Sequence, residues 1–322
     1  MILVTGGAGY IGSHVNKELN KQGYETVIFD NLSAGHKELV KWGTLVIGNL
    51  ANIDEIAKVF EDYPIEAVLH FAAFTSVGES MVKPSEYYRN NLVCTLNLLD
   101  VMRKASVNKI IFSSTAATFG NPLRSVIDEH HPQVPINPYG RTKLMIEQML
   151  ADFDRAYGIK YTALRYFNAC GADPGGDIGE VHIPETHLIP IILEVAQRKR
   201  EKMVINGNDF STPDGTCIRD YVHVYDLATA HLLALKRLLA GENSDVFNLG
   251  NGKGFSNKEV VDAVKEVTGI NFEVLYGPRR EGDPAVLVAG SEKAQQVLGW
   301  RPIYTDLKKI IETAWNWQKS HT

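Results

Sequence analysis

The feature that most constrains the fold of this chain is a glycine-rich turn that follows a short apolar run near the first residue. Residues 2–4 are Ile-Leu-Val, and residues 5–12 read Thr-Gly-Gly-Ala-Gly-Tyr-Ile-Gly. Gly7, Gly9 and Gly12 match G-x-G-x-x-G, a turn that leads from a buried strand to a helix and holds a pyrophosphate at the helix N-terminus. The pattern therefore predicts a strand, a phosphate-binding turn and a helix.

An acidic residue further along indicates which dinucleotide this turn holds. A second apolar strand is predicted over residues 25–29 and ends at Asp30, 18 residues after Gly12. A carboxylate there can accept hydrogen bonds from both hydroxyls of an adenosine ribose but repels a 2′-phosphate, so we predict NAD and not NADP. A glycine-rich turn can also be a plain strand–helix connection, but strand, glycines, helix, strand and acid in this order favour nucleotide binding.

Composition and charge exclude several classes of protein. The 322 residues are 44% hydrophobic and 22% charged, which is typical of a soluble globular protein. A net charge of -5 and a pI near 6.1 argue against a nucleic-acid partner, which requires a basic face. No apolar stretch is long enough to span a bilayer, so we expect no membrane partner. The sequence begins with a core strand and offers no cleavable leader, so we expect a cytoplasmic location.

Cysteine and histidine usage gives no sign of a metal or a disulfide framework. Cys94, Cys170 and Cys217 are odd in number and far apart, so we expect reduced thiols. The histidine pair at residues 130–131 has no carboxylate or cysteine partner at the spacing of metal ligands. We therefore predict no metal site.

The alternation of strands and helices predicts the fold class. Strands are predicted over residues 44–47, 67–71, 109–112, 161–166 and 246–249, and helices over 13–20, 52–60, 84–104, 139–157, 188–200 and 226–239. This order predicts an α/β fold with a doubly wound parallel (Rossmann) sheet and a smaller C-terminal α/β lobe. We expect an NAD-binding domain over residues 1–167 and a substrate-binding lobe over 168–322, from which some segments return to the first domain. The stretch around Arg219 is expected to be irregular.

A tyrosine and a lysine near the start of one predicted helix are candidates for proton transfer. Tyr139 and Lys143 lie at i and i+4, on one helix face, where an ammonium can lower the pKa of a phenol and make it a usable general base. Tyr304 and Lys308 repeat the spacing. Only the first pair follows a hydroxyl at the end of a strand, because Thr115 stands 24 residues before Tyr139. We therefore predict Tyr139, Lys143 and Thr115 as catalytic and the second pair as a solvated helix pair.

Several motifs together resemble one known family. They are the turn at residues 5–12, Phe-Ser-Ser-Thr-Ala-Ala-Thr at 112–118, Tyr139 with Lys143, and Arg-Tyr-Phe-Asn at 165–168. As a set they resemble the extended short-chain dehydrogenases, and within that family the chain is similar from end to end to the 4-epimerases of UDP-sugars. The segments 77–80, 207–209, 219–223 and 278–283 extend the similarity.

The resemblance implies a redox-neutral reaction on a UDP-sugar, the interconversion of UDP-galactose and UDP-glucose. Tyr139 would remove the proton of the sugar 4-hydroxyl while a hydride leaves C4 for tightly held NAD, and the 4-keto sugar would turn over and take the hydride back on its other face. Thr115 would hydrogen-bond the substrate oxygen, and Lys143 would hold the nicotinamide ribose. The resemblance also implies a homodimer formed through two long helices of the nucleotide domain.

The resemblance further implies two sets of binding residues. The residues expected to bind cofactor are Gly6, Gly9, Tyr10, Ile11, Gly12, Asp30, Asn31, Asn49, Leu50, Phe71, Ala72, Ala73, Asn90, Ser113, Tyr139, Lys143, Tyr166 and Phe167. The residues expected to bind substrate are Thr115, Asn168, His187, Leu188, Arg219, Arg280, Asp283 and Leu287. Among the latter, Arg219 and Arg280 match diphosphate-binding arginines and Asp283 an acid near the uridine, since arginine suits bidentate phosphate contact.

Four positions depart from the family pattern. Asn49 stands where many relatives carry an aspartate against adenine, and Thr75 where some epimerases have lysine, so we assign Thr75 no cofactor role. His187 stands in place of a uridine-side asparagine and can equally be an unliganded surface histidine. Leu287 occupies the position beside the C2 substituent of the sugar, and its intermediate size leaves the acceptance of N-acetylated sugars open.

Two kinds of rival function stay open. The nearer rival is another nucleotide-sugar enzyme of the same family: a 4,6-dehydratase, a decarboxylase or a 4-epimerase of UDP-N-acetylglucosamine. A dehydratase is expected to carry Asp-Glu after the catalytic threonine, whereas residues 116–117 are alanines. The rival from another class is a non-catalytic NAD-binding regulator, which has no need of Thr115, Tyr139 and Lys143 together.

Overall fold

The computed structural model describes residues 1–280 and 283–321, so Glu281 and Gly282 of the 278–283 motif lie outside the described residues. The strands are β1 (Ile2–Thr5), β2 (Thr26–Asp30), β3 (Thr44–Ile47), β4 (Ala67–His70), β5 (Lys109–Thr115), β6 (Val126–Ile127), β7 (Lys160–Tyr166), β8 (Asn168–Cys170), β9 (Met203–Asn206), β10 (Ile218–His223), β11 (Asp245–Leu249), β12 (Gly254–Ser256), β13 (Val274–Gly277) and β14 (Val286–Ala289). The α-helices are α1 (Tyr10–Lys21), α2 (Ile53–Asp62), α3 (Val77–Val82), α4 (Pro84–Tyr87), α5 (Cys94–Lys104), α6 (Pro138–Tyr157), α7 (Leu188–Ala196), α8 (Val224–Leu239), α9 (Asn257–Thr268) and α10 (Leu307–Ser320). Shorter 3-10 turns span Lys37–Leu39 and Ala116–Thr118, and π-helical turns span Tyr88–Val93 and Ala294–Leu298.

A seven-stranded sheet, parallel throughout, forms the larger layer. Its strand order is β11-β7-β5-β4-β1-β2-β3. The chain winds outward in one direction from β1 to β3 and in the other from β4 to β11, so the direction reverses between β1 and β4. Ligands of such sheets bind in the crevice at the carboxyl ends of the strands where the order reverses. The predicted doubly wound α/β fold is confirmed.

Both faces of this sheet are covered by helices. In β1, Ile2 and Val4 pack in one core with α1 and α8, whereas Leu3 packs in the other core with α2, α5 and α6. A parallel strand that is buried on both faces needs apolar side chains in every position, which explains the unbroken Ile-Leu-Val run. Helix α8 and strand β11 come from residues 224–249, so segments late in the sequence complete the seven-stranded sheet and its covering helices, which we call the nucleotide layer.

The smaller lobe combines short strands with three helices. Strands β12, β10, β14 and β6 form one sheet in that order, β8 also pairs with β10, and β9 pairs with β13. Helices α7, α9 and α10 pack their apolar faces together in a third core. The expectation of an irregular stretch around Arg219 is wrong, because this residue lies in β10, where it pairs with Phe255 and Leu287. Both partners are far away in sequence, so local patterning gives no sign of the strand.

One predicted helix differs in an informative way. The helix predicted over residues 84–104 is interrupted by the π-helical turn Tyr88–Val93, which adds a residue to the turn and is common near functional sites. Within it, the buried amide of Asn91 accepts from the Phe74 N–H at 2.8 Å and donates to the Phe74 carbonyl at 3.0 Å. Across the described ranges of the chain, none of the helices combines the length and apolarity that crossing a bilayer needs.

Candidate active site

A cavity of about 510 Å³ lies at the carboxyl edge of the large sheet and extends to the smaller lobe. Its lining contains the following residues that the sequence predicted for cofactor or substrate: Gly6, Gly9, Tyr10, Ile11, Gly12, Asp30, Asn31, Asn49, Leu50, Phe71, Ala72, Ala73, Asn90, Ser113, Thr115, Tyr139, Tyr166, Phe167, Asn168, His187, Leu188 and Leu287. Four predicted residues are outside this lining: Lys143, Arg219, Arg280 and Asp283. One cavity therefore brings together the glycine turn, the candidate catalytic hydroxyls and part of the smaller lobe.

The glycines of the turn are needed for different reasons. Gly6 has a φ of +72°, and a Cβ added there would lie 2.5 Å from the Ala72 nitrogen. A Cβ on Gly12 would lie 2.4 Å from the Gly6 carbonyl oxygen, so the turn and helix α1 could not pack as closely. A Cβ on Gly9 would meet only the Gly6 oxygen, at 3.3 Å, and would otherwise enter the open cavity. Gly9 thus leaves the space through which a phosphate group can approach the backbone.

Helix α1 and Asp30 complete a site for an anionic nucleotide. The helix begins at Tyr10 directly after Gly9, which has no side chain to cap it, and its first turn contains no acidic residue. The free N–H groups and the positive end of the helix dipole favour a phosphate there. At the end of β2, the buried Asp30 carboxylate accepts from the Ala8 N–H at 3.0 Å and the Leu32 N–H at 2.9 Å, which fixes it against the turn.

The candidate catalytic residues come from the end of β5 and the start of α6. Asn137 caps α6 by accepting a hydrogen bond from the Gly140 N–H at 2.8 Å, and the helix then carries Tyr139 and Lys143 on its buried side. Thr115, at the end of β5, lies close enough to the Tyr139 hydroxyl to act on its pKa. The Lys143 Nζ donates to the Ser113 carbonyl at 2.8 Å. The tyrosine and threonine hydroxyls therefore face the cavity together, while the lysine lies behind them.

The expected effect of Lys143 on Tyr139 is not seen. Burial raises the pKa of Tyr139 to about 12, and the smaller effect of Thr115 acts in the opposite direction. Burial lowers the pKa of Lys143 to about 7, although the charge of Glu147 acts in the opposite direction. The prediction that the ammonium lowers the tyrosine pKa is therefore wrong for this state of the protein, because desolvation disfavours the charged form of both groups.

A buried charge network supports the helix from behind. Glu147, one turn after Lys143, accepts from the Ser114 hydroxyl at 2.5 Å and pairs with Arg165 of β7 through Nη2 at 2.5 Å and Nε at 3.0 Å. The side chains of Glu147 and Arg165 are each only 6% exposed. The network connects α6, β5 and β7 and so fixes the helix that carries Tyr139 against the strand that carries Thr115.

The predicted diphosphate and uridine residues contact one another or other protein groups. Arg219 Nη2 lies 3.4 Å from Asp283 Oδ1, and Arg219 also donates to the Pro284 carbonyl at 2.8 Å. Arg280 is exposed, and when the Asn206 amide is oriented with its oxygen toward the guanidinium, Arg280 donates to it from Nε and Nη2 at 3.1 Å each. Their roles in substrate binding stay predictions.

The second tyrosine–lysine pair is not a helix pair. Tyr304 precedes α10 and stacks on His223, with ring centroids 4.1 Å apart. Lys308, in the first turn of α10, lies 2.5 Å from the carboxylate of Glu266. The expectation of a solvated helix pair is wrong for Tyr304, because the helix begins only at Leu307.

Residues that sequence reasoning missed also line the cavity. Ser33, Ala34 and Gly35 follow Asp30 and cover its side of the cavity, as expected of a turn at the end of a strand. Glu180 and His182 line it beside His187. Burial lowers the pKa of both histidines, but contacts with Glu180 and Glu185 outweigh it and raise the values to about 9 for His182 and about 10 for His187. The spacing E-x-H-x-x-E-x-H over residues 180–187 is the sequence signal that could have found this group.

Fold and site together define a class of protein. The family model of the NAD dependent epimerase/dehydratase family matches residues 2–250, and the chain belongs to this family. Across 320 residues it is 52% identical to the UDP-glucose 4-epimerase of Halalkalibacterium halodurans, with 99% of this chain and 96% of the relative covered.

Solved structures show the same similarity. The UDP-glucose 4-epimerase from Brucella ovis in complex with NAD superposes with a TM-score of 0.96 at 49% identity, covering 98% of this chain and 97% of the other. The UDP-Glc/GlcNAc 4-epimerase from Campylobacter jejuni superposes with a TM-score of 0.87 at 44% identity, covering 99% of each chain.

Proposed function

We propose that this protein is an NAD-dependent 4-epimerase that interconverts UDP-galactose and UDP-glucose. The observation that carries this proposal is that one cavity is lined both by the glycine turn with Asp30 and by Thr115 with Tyr139. A nucleotide on the turn and a sugar on the hydroxyls would therefore lie side by side. Relatives that are about half identical over nearly the whole chain bear the name of this enzyme.

The residues present fit NAD. Gly9 leaves open space at an uncapped helix N-terminus, which suits a pyrophosphate, and the Asp30 carboxylate is held where it can accept hydrogen bonds from ribose hydroxyls. A 2′-phosphate would bring a second negative charge to Asp30, so the site favours NAD over NADP. Bound NAD supplies the acceptor, and later the donor, of the hydride that sugar C4 exchanges.

The chain's own residues manage the proton and the orientation of the sugar. In its phenolate form, Tyr139 takes the proton of the 4-hydroxyl as C4 is oxidised to a ketone and returns it when the ketone is reduced from the other face. This role requires the phenol pKa of about 12 to fall when cofactor and substrate bind. Thr115, which lines the cavity together with Tyr139, holds the same sugar oxygen in line with the phenol. Lys143 lies behind them on the same helix face, where it contacts the backbone of Ser113, itself a residue of the cavity wall.

The test is to incubate the pure protein with UDP-galactose without added NAD and to follow the anomeric protons by NMR. Conversion to a constant ratio of UDP-galactose and UDP-glucose is expected, since the reaction regenerates the cofactor that the protein retains. No conversion, even with NAD added, would contradict the proposal. A parallel sample with UDP-N-acetylgalactosamine measures whether the cavity beside Leu287 also admits an N-acetyl group, as the name of the Campylobacter jejuni UDP-Glc/GlcNAc 4-epimerase indicates for that protein.

We also propose a cytoplasmic homodimer. Exposed apolar side chains lie on the two long helices of the nucleotide layer and the turn before them: Val93 is 48% exposed, Leu96 39% and Met145 40%. A second copy of the chain would cover this face, as the family resemblance implies. Cys94, Cys170 and Cys217 are all free thiols, which suits a reducing compartment. Gel filtration with in-line light scattering measures the molar mass of the protein and tests the dimer. The mass of a monomer at micromolar concentration would contradict it.

A further inference from the structure

A cluster of two glutamates and two histidines lies in the segment between β8 and α7, and three of its members line the cavity. We call Glu180, His182, Glu185 and His187 the Glu/His cluster. Each side chain offers one ligand atom, and the four atoms lie within 4.8 Å of one another. His187 Nδ1 is 3.0 Å from Glu180 Oε1 and 2.9 Å from Glu185 Oε1, and His182 Nδ1 is 3.2 Å from Glu180 Oε1. Ligand atoms on a tetrahedral zinc ion are about 3.4 Å apart, so the cluster nearly has the spacing of a coordination shell.

The charge of the cluster also points to a cation. The side chains of Glu180 and Glu185 are only 7% and 6% exposed. Within the part of the chain that the structure describes, neither carboxylate has a lysine or arginine ion-pair partner, and both pair with His182 and His187. Two carboxylates this little exposed need a compensating positive charge, which protonated His182 and His187 provide when no ion is bound. One divalent ion would provide the same charge in their place and leave both imidazoles as neutral ligands.

One nitrogen of the cluster has no satisfactory partner in the described structure. His182 Nδ1 is buried and makes no hydrogen bond of acceptable geometry with any described residue, although Glu180 Oε1 is 3.2 Å away. This nitrogen forms only ion pairs with the carboxylates, at 3.2 Å from Glu180 Oε1 and 3.8 Å from Glu185 Oε2, and a shared metal ion would give it a direct ligand bond. The same ring stands edge-on to the ring of Tyr10, with centroids 6.3 Å apart, so the cluster contacts the first turn of α1.

We propose that the Glu/His cluster binds one divalent transition-metal ion of the zinc class, which holds together the two ends of residues 180–187 in the segment between β8 and α7. Two imidazole nitrogens with two carboxylate oxygens suit zinc, whereas magnesium and calcium prefer oxygen ligands alone. The sequence predicted no metal site, whereas this proposal places one in the segment between β8 and α7. It is structural, goes beyond the proposed epimerase function and does not depend on it.

Zinc content and affinity of the full-length, untagged protein test this proposal. After incubation with zinc chloride and gel filtration, elemental analysis should find close to one zinc ion per chain. His182→Asn and Glu185→Gln each remove one ligand, and His130→Asn, at an exposed histidine outside the cluster, is the matched control. In competition with a chromophoric chelator, the two cluster variants should bind zinc at least 10- to 100-fold more weakly than the wild type, since even loss of a partner behind a ligand has about this effect. The control should match the wild type.

Two results would overturn the proposal. One is a wild-type protein that retains only a small fraction of an ion per chain after zinc loading, and the other is zinc affinity that is unchanged in both cluster variants. Should the variants fold poorly, cobalt replaces zinc in the wild-type protein. The visible absorption of tetrahedral cobalt supports the site, and its absence at one equivalent of cobalt contradicts it. These readouts are independent of the NMR assay of epimerisation, so either proposal can fail without the other.

Discussion

Tyr139 is the residue on which the proposed chemistry most depends. It lines the cavity together with Thr115. Tyr139→Phe removes the proton acceptor and keeps the ring, so we expect kcat to fall by about 10²- to 10⁴-fold with the melting temperature and bound NAD unchanged. Tyr304→Phe, in the other tyrosine–lysine pair, is the matched control and should keep wild-type kcat in the NMR assay. Full activity in Tyr139→Phe would favour the non-catalytic NAD-binding regulator.

Lys143 predicts a pH dependence of stability. Its ordinary pKa of 10.5 falls to about 7 on burial, so between these values the unfolded chain holds a proton that the folded chain has lost. Stability contributed by this group therefore rises with pH above about 7 and is constant below it. The free energy of unfolding of the wild type minus that of Lys143→Met should increase from pH 7 to pH 9, by at most about 1.4 kcal/mol per pH unit. Urea unfolding of both proteins, stripped of nucleotide, measures this difference in the free energy of unfolding. A difference that does not change between pH 7 and pH 9 would contradict the expectation.

The pairing of Tyr139 with Thr115 could be foreseen from sequence, whereas their protonation could not. Spacing and resemblance select both residues, since a hydroxyl at a strand end and a tyrosine near a helix start meet at the same sheet edge. The pKa values depend on how many atoms of other segments bury each group, and no local pattern contains that information. The Glu/His cluster is not predicted from the sequence, because E-x-H-x-x-E-x-H has no regular helical or strand period that would place the four side chains together.

At the scale of elements, two glycines in the connection between β1 and α1 should differ in what they affect, one NAD affinity and the other stability. Gly9 has a φ of -84°, which alanine tolerates, and its added Cβ would enter the cavity. Gly9→Ala should therefore weaken NAD binding at least about tenfold, or about 1.4 kcal/mol, with little loss of stability. Gly6→Ala should instead destabilise the fold by more than about 1 kcal/mol, because its φ is positive and Ala72 is in the way. Calorimetric titration and thermal unfolding measure both.

The matched control for these substitutions lies on a short helix. Gly78 in α3 has a negative φ and no atom within 4 Å of an added Cβ, so Gly78→Ala should change neither NAD affinity nor stability appreciably. Equal losses of NAD affinity in the variants of Gly9 and Gly78 would show that the Gly9 effect is not local to the turn.

The buried ion pair behind the active site should contribute far more to stability than an exposed ion pair on the same helix. Glu147→Gln leaves the Arg165 guanidinium buried without its counter-charge, which should cost about 3–5 kcal/mol of stability. Asp152→Asn on the same helix is the control, because its ion pair with Arg155 is 3.6 Å long and largely exposed. We expect the control to change stability by less than about 0.5 kcal/mol. Urea unfolding measures both variants, and a loss below 1 kcal/mol for Glu147→Gln would contradict a structural role of the network.

Local sequence predicted the elements whose burial is regular and missed those made by distant partners. Helix α6 ends at Tyr157 as expected, because its apolar period and the following Gly158 are local signals. Strand β10 was missed, because its partners β8, β12 and β14 are far from it in sequence. The π-helical turn before α5 depends on the contact of Asn91 with the backbone of Phe74, which periodicity does not encode.

At the scale of the whole molecule, the nucleotide layer is not contiguous in sequence. Apolar side chains of α8 and β11 share one core with Ile2, Val4 and Leu19, and β11 pairs with β7 along its length. The proposed boundary at residue 167 therefore separates the chain where the polypeptide changes lobes, but it does not delimit a unit with a complete core. One face of the sheet is covered only once residues 224–249 have been added.

This arrangement predicts how fragments behave. Residues 1–167 alone would expose the face that α8 covers and leave β7 as an unpaired edge, and exposed apolar faces and edges favour aggregation. We expect this fragment to unfold without a cooperative transition, to bind a hydrophobic dye and to bind no NAD. Co-expression of this fragment with residues 168–322 supplies α8 and β11 and should restore a cooperative transition and NAD binding. A second fragment, residues 168–322 with α8 deleted, should restore neither. If the fragment 1–167 unfolded cooperatively and bound NAD alone, residues 1–167 would form a complete core without α8 and β11, and this prediction would be wrong.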